Sequence, residues 1–188
     1  MIRGLVLAGG KSSRFGSDKA LALYEGETFL SRAARILTKL KLELVIAVRE
    51  NVSYSVAGGT LLEDCYHEKG PLGGIYTAMS CFKNTAFLVM TCDMPALTAD
   101  VLKELLLQHD ASQQITFFET SGEWKHPFPG IYEPSLLELI RETVKRGDDL
   151  SMAGLLKAEA TVRAIGWTAS QNVFLNVNTP QDLIYQSS

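Results

Sequence analysis

The sequence predicts an α/β fold with a mostly parallel central sheet. Through the first half of the chain, short apolar runs alternate with segments that show helical spacing. Several of these runs are apolar without interruption, which is typical of strands buried on both faces. Glycine or carboxylate residues follow the runs directly, as at the ends of strands that lead into ligand-binding loops. The 188 residues are enough for one domain with a sizeable core, and we expect a single domain over residues 1–188.

Composition excludes several classes of function. The net charge is −3, with 46% apolar and 21% charged residues, so nothing indicates bulk nucleic-acid binding. No apolar run approaches the roughly 18 residues of a membrane span, and the first residues lack the features of a signal peptide. The three cysteines fit no zinc pattern, which favours reduced thiols. We therefore expect a cytoplasmic protein that binds neither membrane nor nucleic acid.

The first apolar run, Leu5–Ala8, predicts a buried strand, and the loop that follows it is rich in glycine, hydroxyl and cationic residues. Gly9 and Gly10 leave room for a ligand against the backbone. Arg14 and Lys19 add positive charge, so the loop suits a polyphosphate. A glycine turn with solvated charges is the alternative, but the strand before the loop and the helix after it favour the phosphate site.

The next elements continue the alternation. A helix begins at Phe29 with Thr28 as its N-cap, and its residues Arg32, Arg35 and Lys39 are expected to face water. Strands follow at 42–48 and 59–62, the second ending at Glu63 and Asp64. Pro71 then starts another helix. Its flanking glycines, Gly70, Gly73 and Gly74, have two open interpretations: contact with a ligand, or a tight turn with close packing of the helix on the sheet.

A further buried strand, Ala86–Met90, leads to Asp93. Because ligands of such sheets bind beyond the carboxyl ends of the strands, loop 8–19, Asp64 and Asp93 are predicted to share one edge. Asp93 is the metal candidate, since a carboxylate that faces a triphosphate needs a divalent cation between them. The alternative role of Asp93 as a helix cap is weakened because Thr98 is better placed for that cap.

The second half alternates less regularly. Strands at 115–119 and 125–132 predict a hairpin excursion, and His126 within it is interpreted as structural. The remaining predicted elements are helices beginning near Leu136 and Ser151 and a strand at 161–165. Near the end, Asn176 and Asn178 alternate on an extended backbone, so both amides should point the same way. Such a pair could hold a polar ligand, or could merely satisfy buried backbone groups; we favour ligand contact.

Taken together, these motifs resemble those of the molybdenum cofactor guanylyltransferases of the nucleotidyltransferase superfamily. The resemblance covers nearly the whole chain. Its motifs lie, in order, at residues 7–21, Gly70-Pro71-Leu72-x-Gly74, Asp93-x-Pro95, His126-Pro127 and Asn176-Val177-Asn178-Thr179-Pro180. It implies a Rossmann-like three-layer nucleotidyltransferase fold with a mostly parallel central sheet and a small hairpin excursion.

The resemblance also implies a reaction, transfer of GMP from GTP to a molybdopterin-type cofactor with release of pyrophosphate. It assigns roles to residues of the nucleotide site: Leu7, Ala8 and Gly9 around the guanine and ribose, Asp64 on the guanosine portion, Lys19 and Arg14 on the phosphates, and Asp93 on Mg²⁺. Gly10 and Gly70 are further predicted nucleotide-binding residues. Asn176 and Asn178 would lie toward the pterin phosphate. Molybdenum insertion and molybdoenzyme maturation proteins are the implied protein partners.

One departure and two alternatives accompany the resemblance. Some members carry an asparagine near the end of the second long strand as a nucleotide contact, whereas Val45–Val48 contains no amide. The alternatives are a related cytidylyl- or sugar-phosphate nucleotidyltransferase, and a non-catalytic GTP-binding partner in cofactor assembly.

Overall fold

A seven-stranded sheet forms the centre of the computed structural model, which describes residues 1–9, 18–56, 58–66, 70–120, 124–146, 151–157, 160–179 and 181–182. Along the sheet the strands lie in the order β5-β4-β1-β6-β8-β7-β9. Their bounds are β1 Ile2–Leu7, β4 Leu44–Val48, β5 Gly59–Glu63, β6 Ala86–Thr91, β7 Ile115–Thr120, β8 Trp124–Tyr132 and β9 Val162–Trp167. Two short strands, β2 Leu23–Tyr24 and β3 Glu27–Thr28, form a separate antiparallel ribbon.

Helices cover both faces of the sheet. Their bounds are α1 Phe29–Lys39, α2 Pro71–Cys81, α3 Ala99–Leu107, α4 Leu136–Arg146 and α5 Met152–Lys157. Helices α1 and α3 contribute to one buried apolar cluster with alternate residues of the central strands. Helices α2, α4 and α5 contribute to the other cluster, with the intervening strand residues. The predicted three-layer α/β fold with a mostly parallel sheet is therefore confirmed. None of the helices in the described part of the chain is long and apolar enough to span a membrane.

The strand pairing explains why the second half looked irregular in sequence. Within the described sheet, β8 alone runs antiparallel to its neighbours, pairing with β6 on one side and β7 on the other. The predicted hairpin is present and extends the central sheet. Its register shifts between Phe117 and Phe118, opposite Pro127 and Pro129, because proline has no N–H to donate to the ladder.

Local signals placed most helix starts correctly. The Thr28 hydroxyl accepts a hydrogen bond from the Ser31 N–H at 3.1 Å, and Thr98 caps α3 in the same way. Arg35 and Lys39 are exposed as predicted. The prediction for Arg32 is wrong: its side chain is only 20% exposed, because the β2–β3 turn folds back over α1.

Candidate active site

The candidate site lies at the carboxyl edge of the sheet, where β1 separates two directions of winding. The chain passes from β1 through α1 to β4 on one side, and from β5 through α2 to β6 on the other side. Leu7, the last residue of β1, pairs with Ala47 and Thr91 in the two neighbouring strands. Such a switch point opens a crevice beyond the strand ends, and loops from β1, β4 and β6 meet there.

Three predicted site residues come together in this crevice. The Lys19 Nζ lies 2.6 Å from the Asp93 Oδ2, and it donates a second hydrogen bond to the Asn178 Oδ1 at 3.1 Å. The Lys19 and Asp93 side chains are only 16% and 15% exposed. Residues from the β1 loop, the β6 loop and the C-terminal segment, distant in sequence, thus share one polar cluster, which we call the Lys19 cluster.

The backbone that carries Lys19 is held firmly. Lys19 begins a short 3₁₀ turn, Lys19–Leu21, for which Asp18 is the N-cap. The Asp18 Oδ1 accepts from the Ala20 N–H at 3.0 Å, and its Oδ2 accepts from the Tyr54 hydroxyl at 2.6 Å. Burial and the bond to Asp18 raise the pKa of Tyr54 well above its ordinary value, so the phenol remains a donor.

The loop that carries Asp93 is fixed from two directions. The Asp93 carbonyl accepts a hydrogen bond from the Val177 N–H at 2.9 Å, which joins the loop to the C-terminal segment. Two residues further on, the Pro95 carbonyl accepts from the Arg32 Nε at 2.7 Å. Arg32 also pairs with Glu25 at 3.1 Å and lies over the Tyr24 ring. Helix α1 and the β2–β3 ribbon therefore hold the loop that carries Asp93, the candidate metal ligand.

The carboxylate of Asp93 suits a divalent cation. Its Oδ2 is held by Lys19, whereas its Oδ1 is buried and has no hydrogen-bond partner among the described residues. A buried carboxylate oxygen without a partner is unfavourable unless something binds to it. No group of three His, Cys, Asp or Glu side chains in the described part of the chain forms a ready-made metal centre. A single carboxylate combined with phosphate oxygens is a common way of holding Mg²⁺.

The asparagine pair lies on the C-terminal segment, and its second member, Asn178, belongs to the Lys19 cluster. Asn176 and Asn178 are exposed and Val177 between them is fully buried, as expected for amides that alternate with a core residue. The Asp182 Oδ2 accepts hydrogen bonds from the backbone N–H groups of Asn178 at 2.7 Å and Thr179 at 2.9 Å. These two bonds lower the pKa of Asp182 and fix the segment that presents Asn178 to Lys19. Asp182 thus stabilises the backbone turn at Asn178 and Thr179.

Asp64 also lies at the carboxyl edge, at the end of β5, where its side chain makes internal bonds. Its Oδ1 accepts from the Tyr66 N–H at 2.8 Å and from the Thr77 hydroxyl at 3.2 Å. Asp64 is 6% exposed. Its hydrogen bond from the Tyr66 N–H orders the turn at Cys65 and Tyr66. A nucleoside contact of Asp64 stays a prediction.

The glycines at the start of α2 serve different purposes. A Cβ on Gly74 would lie 2.8 Å from the Leu7 side chain, and one on Gly73 would lie 2.1 Å from the Tyr66 carbonyl oxygen. Both therefore permit close packing, which is one of the two interpretations left open by the sequence. Gly70 has a φ of 61°, a turn conformation unfavourable for other residues, and among the described residues none beyond its chain neighbours lies within 4 Å of its Cβ position; the backbone conformation therefore explains this glycine.

The remaining predicted nucleotide residues are placed only in part. Leu7 and Ala8 are buried and tied to the neighbouring strands through their backbone, and Gly9 follows at the crevice. Gly10 and Arg14 lie outside the described residues, so their contacts stay predictions. Cys92 is a poor nucleophile, because burial raises the pKa of its thiol to about 12.

His126 makes internal contacts, as the sequence interpretation assumed. Its ring stacks on Phe174 with 4.4 Å between centroids, and its Nε2 lies 3.1 Å from the Thr120 hydroxyl.

Sequence reasoning missed Asp18, Tyr54 and Arg32 as supports of the site. A weak signal existed for Asp18, which precedes Lys19 and an apolar segment in the manner of a capping residue. Nothing in the sequence connects Tyr54 with Asp18, or Arg32 with the Pro95 carbonyl, because these contacts depend on the tertiary fold.

The doubly wound sheet, with a lysine, a carboxylate and amides at its switch point, defines a nucleotide-binding protein of the nucleotidyltransferase class. The chain belongs to the family described as the MobA-like NTP transferase domain, whose model matches residues 4–162. By this membership it is a nucleotidyltransferase.

Individual relatives agree with this assignment. A protein of Flavobacterium johnsoniae named probable molybdenum cofactor guanylyltransferase is 32% identical over 181 residues, covering 95% of this chain and 92% of the relative. A putative protein from Aquifex aeolicus has a similar crystal structure, with a TM-score of 0.78, 28% identity and coverage of 94% and 93%. Molybdopterin-guanine dinucleotide biosynthesis protein A from Archaeoglobus fulgidus has the same fold, with a TM-score of 0.78, 20% identity and coverage of 98% and 96%.

Proposed function

We propose that this protein transfers GMP from GTP to the terminal phosphate of a molybdopterin-type cofactor, giving the molybdopterin guanine dinucleotide cofactor and pyrophosphate. The observation that carries the proposal is the Lys19 cluster, in which Lys19 lies between Asp93 and Asn178. A cation placed between a candidate metal ligand and an amide suits a reaction between two phosphate-bearing substrates. Family membership and the name of the Flavobacterium relative support the choice of guanylyl transfer.

On the donor side, the end of β1 is proposed to form one wall for GTP. The backbone from Leu7 to Gly9 lies at the strand end, where a nucleoside can approach closely. Gly10 and Arg14 extend this wall in the proposal. Asp64 follows β5, two strands from β1 in the sheet, and is assigned to the guanosine portion, whereas Gly70 at the start of α2 is assigned to nucleotide binding.

The chemistry requires no general base. The attacking group is a phosphate oxygen, which is already anionic at neutral pH, and the leaving group is pyrophosphate. The protein therefore has to align the two phosphates and offset the negative charge that accumulates between them. Lys19 supplies a fixed cation for the phosphates, and Arg14 is proposed to assist it.

Asp93 is the residue that would hold Mg²⁺, since its Oδ1 has no hydrogen-bond partner in the described part of the chain and is a suitable ligand. When bound, Mg²⁺ would neutralise phosphate charge and orient the triphosphate. Asn176 and Asn178 are assigned to the pterin phosphate, because both residues are exposed and Asn178 contacts Lys19. Molybdenum insertion and maturation proteins remain the proposed protein partners, and the cytoplasm remains the proposed location.

The decisive experiment combines the protein, GTP, Mg²⁺ and molybdopterin, followed by analysis of the products. We expect the guanine dinucleotide and stoichiometric pyrophosphate. Lys19→Ala and Asp93→Ala should each lose at least about a hundredfold in rate while remaining folded by circular dichroism. GTP binding without pyrophosphate release would instead indicate a non-catalytic partner in cofactor assembly. Wild-type rates in either variant would overturn the site assignment.

One feature keeps a second nucleotide in consideration. Strand β4 ends at Val48, which is 1% exposed. Some family members are expected to carry an amide near this place as a contact to the nucleotide. Titration with GTP, CTP, ATP and UTP in the presence of Mg²⁺ tests base selection directly. We expect GTP to bind most tightly. Preferential CTP binding would favour a cytidylyltransferase, and dependence on a sugar phosphate acceptor would favour a sugar-phosphate nucleotidyltransferase.

A further inference from the structure

Tyr54 contacts Asp18, the residue before Lys19, from a part of the chain to which the proposed mechanism gives no role. It lies in the connection between β4 and β5, and its hydroxyl donates to the Asp18 Oδ2 at 2.6 Å across a sequence separation of 36 residues. We propose that Tyr54 is a positioning residue that acts through Asp18 to hold Lys19 in place for the phosphates. The inference rests on the proposed function of Lys19 as a phosphate-binding residue.

The link from Tyr54 to Lys19 consists of well-defined contacts. Asp18 uses one carboxylate oxygen for Tyr54 and the other for the Ala20 N–H at 3.0 Å. The 3₁₀ turn is closed by a bond from the Leu21 N–H to the Asp18 carbonyl at 3.0 Å. Because Lys19 lies between Asp18 and the buried Ala20, its Cα position follows directly from the position of the Asp18 side chain.

Tyr54 is a rigid support for this link. Its side chain is 9% exposed, and it belongs to the same apolar cluster as Ala20 and Val48. The ring is therefore held within the apolar core that includes the end of β4, whereas the Lys19 ammonium contacts Asp93, which follows β6. Tyr54 thus holds the backbone of Lys19 from one side. The lysine side chain can still exchange its contacts with Asp93 and Asn178 for contacts with phosphate oxygens. A backbone fixed before binding reduces the entropy lost when the phosphates bind.

Tyr54→Phe removes the hydroxyl and retains the buried ring. A role in positioning Lys19 predicts weaker binding of GTP, roughly three- to tenfold, with little change for GMP, which lacks the phosphates assigned to Lys19. Both dissociation constants are measured by titration calorimetry, which reports binding to the folded fraction of the protein. A role in overall stability alone would therefore leave both constants unchanged. The GTP-to-GMP affinity ratio is therefore the informative quantity.

Two controls make the measurement specific. Tyr132→Phe deletes another buried tyrosine hydroxyl, which donates to the Pro127 carbonyl at 2.6 Å, and it should leave the GTP-to-GMP ratio unchanged. In a Lys19→Met background, Tyr54→Phe should have no further effect on the ratio, because residues that act as one unit are not additive. An equal loss in the presence and absence of Lys19 would overturn the proposal.

A second readout does not depend on nucleotide binding. Competitive acetylation with acetic anhydride, followed by peptide mass spectrometry, compares the reactivity of Lys19 with that of the exposed Lys41. Tyr54→Phe should raise the Lys19-to-Lys41 ratio about threefold, and Tyr132→Phe should not change it. If wild-type protein binds no GTP, the proposed function fails, and the acetylation ratio still decides the role of Tyr54. An unchanged ratio in Tyr54→Phe would refute it.

Discussion

Replacing Gly73 by alanine tests whether the start of α2 is shaped by close packing. Gly73 lies in the first turn of the helix, next to the turn that Asp64 orders. An alanine Cβ would lie 2.1 Å from the Tyr66 carbonyl oxygen, 2.7 Å from its carbonyl carbon and 3.1 Å from the Asp64 Oδ1. Real Cβ contacts are essentially never shorter than 3.0 Å, so backbone has to move by nearly an ångström.

The magnitude follows from two opposing terms. Overpacking of this kind costs about 1–3 kcal/mol, and the upper end applies here because the obstacle is backbone that cannot rotate away. Alanine is also a better helix former than glycine by about 1 kcal/mol. We therefore expect Gly73→Ala to lower the free energy of unfolding by about 2 kcal/mol.

Urea unfolding followed by circular dichroism measures this difference, provided that the slope with denaturant is unchanged. Gly166→Ala is the control, because no described residue other than its chain neighbours lies within 4 Å of its added Cβ. That variant should remain within about 0.5 kcal/mol of wild type. Wild-type stability in Gly73→Ala would refute the packing argument. If the same variant nevertheless lost GTP affinity, direct ligand contact would explain this glycine.

Two further predictions concern residues around the site. Burial lowers the pKa of His126 from 6.5, so the unfolded chain binds the proton more readily than the folded protein does. The free energy of unfolding should therefore fall as pH drops from 6.5 toward the lowered pKa. His126→Gln should flatten that slope in urea titrations across this range, and an unchanged slope would contradict the assignment. Arg32→Met removes the bond to the Pro95 carbonyl, and calorimetry should show several-fold weaker binding of Mg²⁺–GTP, whereas Arg35→Met, its exposed neighbour on α1, should bind normally. Equal affinities in the two variants would remove Arg32 from the support of the Asp93 loop.

Much of the fold could be predicted because it depends on local patterns. Uninterrupted apolar runs located β1, β4 and β6, and hydroxyl caps located the starts of α1 and α3. The rule that ligands bind at the carboxyl ends of parallel strands then brought the β1 loop and Asp93 to one edge. The structure confirms this juxtaposition through the contact between Lys19 and Asp93. The proposed roles of these residues stay predictions.

What could not be predicted depends on contacts between distant parts of the chain. Helical spacing placed Arg32 toward water, since periodicity describes only the helix itself and not the ribbon that folds over it. In the structure the Arg32 guanidinium donates a hydrogen bond to the carbonyl of Pro95, 63 residues away in sequence. The sheet order had a similar limit, because no local pattern shows that β8 inserts between β6 and β7.

The contact of Lys19 with only one oxygen of the Asp93 carboxylate suggests how the site accommodates a charged nucleotide. If both oxygens were held by Lys19, a cation could bind only after the ion pair had broken, at considerable cost for side chains that are largely shielded from water. Instead, Lys19 holds Oδ2 and leaves Oδ1 without a partner in the described part of the chain. Under the proposed function, Mg²⁺ would bind at Oδ1 while Lys19 remains in place. Lys19 would then turn toward the phosphates as their negative charge arrives, so the buried site would keep its charges compensated throughout binding.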